Sequence, residues 1–223
     1  MAKLLFDPMA LPIESYAGEA AVRAERLTAD GLRSHFLNPP VWQPEFTDEH
    51  RQRSTTSKHA AASVLMPVVM RPQGLTMLLT QRTEHLNDHG GQVSLPGGRA
   101  EPLDASAIDT ALREAEEEVG IQRHNVEVVG VLPEYYTNTG FCITPVVGLV
   151  HPPLDLVADP FEVAEIFEVP LPFLMDGMNH QRRTLALASE SGRRTFYAMP
   201  YDRFFIWGAT AGMLRNLFHF LRT

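Results

Sequence analysis

Four charged residues, Arg113, Glu114, Glu117 and Glu118, crowd into the run Arg113-Glu114-Ala115-Glu116-Glu117-Glu118-Val119-Gly120. On an α-helix, positions i, i+3 and i+4 share a face, so the three glutamates come together. Like charges at that spacing are mildly destabilising, and something should neutralise them. Clustered carboxylates are the ligand type that hard divalent cations prefer. The plain alternative is a solvated acidic face, which is what most Glu-rich stretches are. Three further features favour a metal site: the Gly97-Gly98 approach to the helix, Arg113 beside the first glutamate, and Gly120 as a stop.

A helix over Ala105–Val119 has to position these side chains. Ser106 followed by Asp109 suits a capping box, with Asp104 as an alternative cap, and Gly120 is a natural C-terminal stop. Ile108, Ala111, Leu112, Ala115 and Val119 recur at helical spacing and are expected to pack on a core, so that the acidic stripe falls away from it.

The stretch resembles the Nudix box, a glycine loop and helix written G-x5-E-x7-R-E-U-x-E-E-x-G-U, with U aliphatic or small. Arg113 through Ile121 match its second half at every specified position. In the first half, Asp104 stands where the box has Glu, and the gap to Arg113 is one residue longer. That longer loop is similar to the branch of Nudix proteins that act on coenzyme A. Upstream, Leu78-Leu79-Thr80-Gln81-Arg82, Gly91 and Pro96-Gly97-Gly98 resemble the second signature of that branch, LLTxR[SA]xxxRxxxGxxxFPGG. Thr83, Asn87 and Leu95 depart from it, replacing Ser or Ala, Arg and Phe. More loosely, Leu132-Pro133, Gly140, Thr144–Gly148, Glu162–Leu171 and Ile206–Thr210 fit the same branch in order and spacing.

The resemblance implies an α/β fold, a Nudix-like α/β/α sandwich with a mixed sheet, and metal-dependent attack of water on a diphosphate. Divalent cations neutralise phosphate oxygens and activate water, and Mg2+ keeps several waters, so two or three carboxylates suffice. Mg2+ or Mn2+ is the expected cofactor, with Glu114 and Glu118 as principal ligands and Glu117 as a third or the holder of a second ion. Arg113 is expected to orient a carboxylate through its fork of donors. Gly97 and Gly98 would let the backbone approach metal and phosphates, or would simply connect a strand to a helix. Arg82 and Arg99 are candidate phosphate contacts. The general base stays open among Glu101, Glu114, Glu117, Glu162 and Glu165. Glu134, Tyr135 and Tyr136 are candidates for the pocket wall, with Tyr stacking on a base.

The expected substrate is coenzyme A or a thioester of it. Asn87 keeps another nucleoside diphosphate derivative, ADP-ribose or a dinucleotide, as the alternative. A non-catalytic Nudix-fold module would predict eroded glutamates, and all three are present.

Composition agrees with an enzyme acting on a small molecule. The 223 residues suffice for one sizeable domain, and 44% hydrophobic with 21% charged residues is ordinary for a globular chain. A net charge of −8 argues against a nucleic-acid partner, which wants a basic stripe. No apolar run approaches the roughly 20 residues of a membrane span. The lone Cys142, expected to be a small buried residue, suits a reducing cytoplasm. A homo-oligomer is left open.

Along the chain, residues 1–58 read as an N-terminal extension and residues 59–223 as the Nudix hydrolase domain. The extension holds an amphipathic helix around Gly18–Leu37, a Pro-rich stretch over Pro39–Pro44 and a polar run over Thr47–Lys58. Strands are expected at Ala60–Met70, Leu75–Arg82, Gln92–Leu95, Val126–Leu132 and Ile143–Val150. A turn or short helix is expected over Pro160–Phe167, and a helical turn over Pro172–Asp176. Arg182–Ala188 and Arg194–Pro200 would form a hairpin around Glu190-Ser191-Gly192. Ala209–Leu221 would be a helix with Met213, Leu214, Leu217 and Leu221 on its apolar face, and Trp207 would belong to the core.

Overall fold

The computed structural model describes residues 6–45, 59–86, 89–137, 139–186 and 193–223. The polar run Thr47–Lys58, Asn87 and the Glu190-Ser191-Gly192 turn lie outside the described residues.

An apolar strand, β2 (Ala60–Arg71), forms the middle of a mixed sheet. It pairs antiparallel with β3 (Gly74–Arg82) and parallel with β8 (Phe141–Val150), which in turn carries β6 (Val126–Val131) and β7 (Tyr135–Tyr136). The other side of β3 bears β9 (Val163–Pro170), while β4 (Val93–Ser94) pairs with the end of β3 on the same side as β2, and β5 (Gly97–Arg99) lies along the first half of β2. Alternation along the strands divides the core between two faces. Leu65, Val69, Val146 and Val150 meet Ala111, Ala115 and Val119 of helix α2 (Ala107–Val119). Met66, Val68, Val147 and Leu149 face the opposite way, toward Leu214, Leu217, Phe218 and Leu221 of helix α4 (Gly208–Arg222). Burial on both faces is why β2 and β8 read as continuous apolar runs. The architecture is the expected α/β/α sandwich with a mixed sheet. Between the two ends lie α1 (Ala29–Leu37) and the short α3 (Leu171–Leu174). Among the described residues, no helix is long and apolar enough to cross a membrane.

A second, antiparallel sheet runs β1 (Ile13–Tyr16), β10 (Gln181–Ala186), β11 (Arg193–Tyr201) and β12 (Phe204–Trp207). Its first strand comes from the extension, and Leu32 of α1 is fully buried in the main core. A further tie is Arg215 on α4, whose side chain is 2% exposed. Its guanidinium donates to both oxygens of Glu19 at 3.1 and 2.8 Å and twice to Glu45 Oε2, at 3.1 and 2.8 Å. It also donates to His180 Nδ1 at 3.0 Å, while His180 Nε2 sits 2.8 Å from the Leu174 carbonyl. A buried cation without these acceptors would be strongly unfavourable.

Several expected elements differ. The helix over Gly18–Leu37 is a 3-10 turn (Ala24–Leu27) followed by α1, which Thr28 caps by accepting from Gly31 N–H. The preceding residues are not helical, because the N–H groups of Ala17, Gly18 and Val22 donate to carbonyls of His180, Gly177 and Met175. Over Pro160–Phe167 the expected turn covers only residues 160–162; from Val163 the chain is a strand, paired with β3. Its glutamates mimic helical spacing, but Val163 and Val169 are buried and the pairing with β3 decides. Ile108 is 36% exposed, one position beyond the face that meets the sheet. Cys142 and Trp207 are half-buried, with Trp207 packed edge-on against Phe6 and Phe196.

Burial pushes the Glu45 carboxyl upward, but hydrogen bonds from His219 and Tyr197 and the Arg215 charge outweigh it and hold Glu45 down at about 2. Burial lowers His180 to about 4. Both shifts give the same sign. The unfolded chain binds these protons more readily, so stability is full above about pH 6.5 and falls as pH drops through 4 toward 2. Glu45→Gln should cost about 1–3 kcal/mol in urea unfolding at pH 7 and flatten the acid limb of that profile; an unchanged midpoint would show that Glu19 alone satisfies Arg215.

Candidate functional site

Three elements bring the candidate residues together: the end of β3, the short β5 and helix α2. The helix begins at Ser106, whose hydroxyl accepts from Asp109 N–H at 3.2 Å, and ends at Gly120 in the left-handed region, φ 75°. Ala111 and Ala115 are small and fully buried, which lets α2 lie close to the sheet. The acidic stripe does not fall away from the core as a unit. Glu118 is 4% exposed, Glu114 is half-buried and only Glu117 points into solvent.

Gly97-Gly98 is a strand here, not a turn. Gly97 pairs with Val64 and Gly98 with Ser63. A Cβ on Gly97 would lie 2.4 Å from the Ser63 carbonyl oxygen, so the strand packs at this distance only without a side chain. The Gly97 N–H donates to Glu118 Oε2 at 3.1 Å. A Cβ on Gly98 would lie 2.5 Å from the carboxyl carbon and Oε1 of Glu114. The space that Gly98 leaves is filled by the Glu114 carboxylate.

Arg113 clamps this arrangement. Its Nε donates to Asp104 Oδ1 at 3.0 Å and its Nη2 to Asp104 Oδ2 at 3.1 Å. Nη1 donates to Glu114 Oε1 at 3.0 Å and Glu117 Oε2 at 2.9 Å, and Nη2 also reaches the Arg99 carbonyl at 3.1 Å. Asp104 accepts further from Thr110 Oγ1 and Glu101 N–H, both at 2.8 Å. The Arg113 guanidinium holds the Asp104 carboxyl well below the usual carboxylate range. Asp104 therefore anchors the long loop to the helix instead of capping it.

Arg82 stands between two carboxylates, with Nη1 3.6 Å from Glu118 Oε1 and Nη2 3.4 Å from Glu162 Oε2. Arg99 is exposed, with its guanidinium 5.1 Å from the centre of the Phe141 ring. Among the open candidates for the base, Glu114, Glu117 and Glu162 stand at the cluster. Glu165 pairs with Arg203, and Glu101 is exposed on the loop. Tyr135 is 1% exposed and packs against Gly212, and the Tyr136 hydroxyl donates to Glu134 at 2.8 Å. Tyr135 is thus core, not pocket wall. The sequence motifs did not single out Phe161 or His85, which pack together beside Glu162; only the three-dimensional pairing of β3 with β9 brings them there.

The electrostatics fit a divalent cation. Burial pushes the Glu118 carboxyl up to about 8, against the Gly97 N–H and the Arg82 charge, and burial also raises Glu114. A carboxylate kept in such surroundings lacks sufficient positive charge, which is what a bound cation supplies. Among the described residues, no three His, Cys, Asp or Glu side chains are already gathered into a complete ligand set.

The NUDIX domain model matches residues 59–170, half of the chain. The chain is 42% identical over 191 residues to the uncharacterized Nudix hydrolase NudL of Escherichia coli K12, covering 86% of this chain and 93% of that one. Its counterpart from Shigella boydii serotype 18 is 41% identical over the same span. Among solved structures, a MutT/nudix family protein from Enterococcus faecalis aligns over 85% of this chain and 73% of that chain, at 15% identity and a TM-score of 0.43. The chain belongs to the Nudix family. It is a Nudix hydrolase, of a family that generally uses divalent metals.

Gly98→Ala separates function from folding. The new methyl meets the far end of a flexible side chain, so the fold should persist while the Glu114 carboxylate is displaced. A displacement on the order of 1 Å in a positioned group costs on the order of 100-fold in rate. We expect kcat/KM to fall by at least about tenfold with an unchanged circular dichroism spectrum and melting temperature; full activity would mean that Glu114 need not sit against Gly98.

Proposed function

We propose that this hydrolase cleaves the diphosphate bond of coenzyme A or its thioesters with Mg2+ or Mn2+, giving adenosine 3',5'-bisphosphate and (acyl-)phosphopantetheine. The observation that carries the diphosphatase chemistry is the near-burial of Glu118 beside Glu114, Arg82 and Glu162. When bound, the metal would neutralise phosphate oxygens and lower the pKa of water. Glu114 and Glu118 would hold it, with Glu117 free to swing in from solvent, since its contact to Arg113 is an exposed one. Arg113 keeps Glu114 in place. Arg82 and Arg99 would attract the substrate's phosphates, while Gly97 and Gly98 serve the close packing of β5 on β2 and of Glu114 on β5. In the hydrolysis, a water oxygen bonds to one phosphorus as the bridging P–O bond breaks. The proton of that water passes to a carboxylate, for which Glu162, Glu117 and Glu114 are the nearby candidates.

The narrower substrate rests on the longer loop before Arg113, which Asp104 locks to the helix, and on the signature around Arg82. One observation favours a second reading, hydrolysis of another nucleoside diphosphate derivative: Asn87 replaces the arginine of the coenzyme A signature. A parallel assay of coenzyme A, dephospho-coenzyme A, ADP-ribose and NADH at fixed metal separates them. The coenzyme A reading predicts the highest kcat/KM for coenzyme A, a drop on removing its 3'-phosphate, and loss of all turnover in chelator. Equal rates with and without that phosphate would favour the second reading, and turnover undiminished in chelator would remove the metal from the mechanism.

A further inference from the structure

An aromatic pair beside the carboxylates has no role in this chemistry. Phe161 directly precedes Glu162 and is 64% exposed. Its ring centre is 4.9 Å from that of His85, at 62°. A single exposed apolar side chain is ordinary on a protein surface. This one is held in place. Asp159 Oδ1 accepts from Phe161 N–H at 2.8 Å, and Thr83 Oγ1 donates to the Phe161 carbonyl at 2.7 Å. The Thr83 N–H donates to the Glu162 carbonyl at 2.9 Å. Thr83 is the neighbour of Arg82, which reaches both Glu118 and Glu162. The turn that displays the ring is therefore pinned to the strand end that delivers Arg82. The Thr83 hydroxyl and the Asp159 carboxylate together fasten the Phe161 backbone.

A nucleoside diphosphate brings two parts of opposite character on one tether, anionic phosphates and a flat apolar base. With the phosphates at the carboxylate cluster, the base must emerge at the rim. The tyrosines expected to receive it are engaged: Tyr135 is buried, and Tyr136 packs edge-on against His59 with its hydroxyl on Glu134. Resting on the reading of the substrate as a nucleoside diphosphate, we propose that Phe161, braced edge-on by His85, is the stacking surface for the substrate's nucleobase. Pre-fixing the ring lowers the ordering cost of binding, and base–aromatic stacking contributes about 1–3 kcal/mol per base.

The test compares Mg2+-supported binding of ADP with that of ribose 5-diphosphate, the same molecule without its base, by calorimetry. Wild type should prefer ADP. Phe161→Ala should cut the ratio of the two affinities about tenfold, and Phe161→Trp should keep it. Fluorescence of the Phe161→Trp variant beyond that of wild type should be quenched by ADP and not by ribose 5-diphosphate. An unchanged ratio in Phe161→Ala, no preference in wild type, or no selective quenching would overturn the proposal. Because none of these readouts requires turnover, the stacking surface stands or falls separately from the hydrolytic reading.

Discussion

The burial of one carboxylate, Glu118, sets the terms for the rest of the site. At 4% exposure it has exchanged water for protein, and an anion in that position needs donors or cations around it. The donors come from a second element, through the Gly97 N–H, and from a third, through Arg82. Each contact requires α2, β5 and the end of β3 to lie within a few ångströms of one another. Small residues make that approach available: Ala111 and Ala115 under the helix, Gly97 against the Ser63 carbonyl and Gly98 against Glu114. Arg113 then spends its donors holding Glu114, Glu117 and Asp104 together, which keeps a long loop from wandering over the cluster.

Far from these carboxylates a second buried charge plays a structural part. Arg215 joins α4 to Glu19 and Glu45, and its ring contacts are to Tyr197 at 4.5 Å and Phe218 at 5.1 Å. Residues that read as an extension thus supply both counter-charges of a cation in the body of the protein. No pattern in the sequence announces this. Isolated glutamates at positions 19 and 45 carry no periodicity, and their partner lies about 170 to 196 residues away in the chain.

What was legible in the sequence follows the range of the interactions. Helix α2, its Ser106 cap and its Gly120 stop are local features and form as the residue types dictate. So are β2, β3 and β8, whose apolar runs need two covered faces. The errors arise where distant pairing overrides local pattern. Val163–Pro170 carries glutamates at helical spacing, yet it completes the sheet beside β3. Gly97-Gly98 has the composition of a turn and is a strand because β2 offers it partners. At the site, residue types and spacing placed Glu114, Glu117, Glu118 and Arg113 together. They did not show that Glu118 is buried while Glu117 is exposed, or that Arg82 is shared between Glu118 and Glu162, since both depend on which way the helix turns against the sheet.

The central claim is that Glu118 and Glu114 hold the divalent cation on which the chemistry depends. Mn2+ binding, followed by loss of the free-ion electron paramagnetic resonance signal, tests it most directly. Glu116 is the internal control, because it lies on the same helix but faces Arg123, 3.7 Å away. Even an outer partner of a metal ligand is worth about 10–100-fold in affinity, so loss of a direct ligand should cost at least about tenfold. The account predicts that loss for Glu118→Gln and wild-type affinity for Glu116→Gln. Wild-type Mn2+ affinity in Glu118→Gln, or an equal loss in both variants, would contradict it.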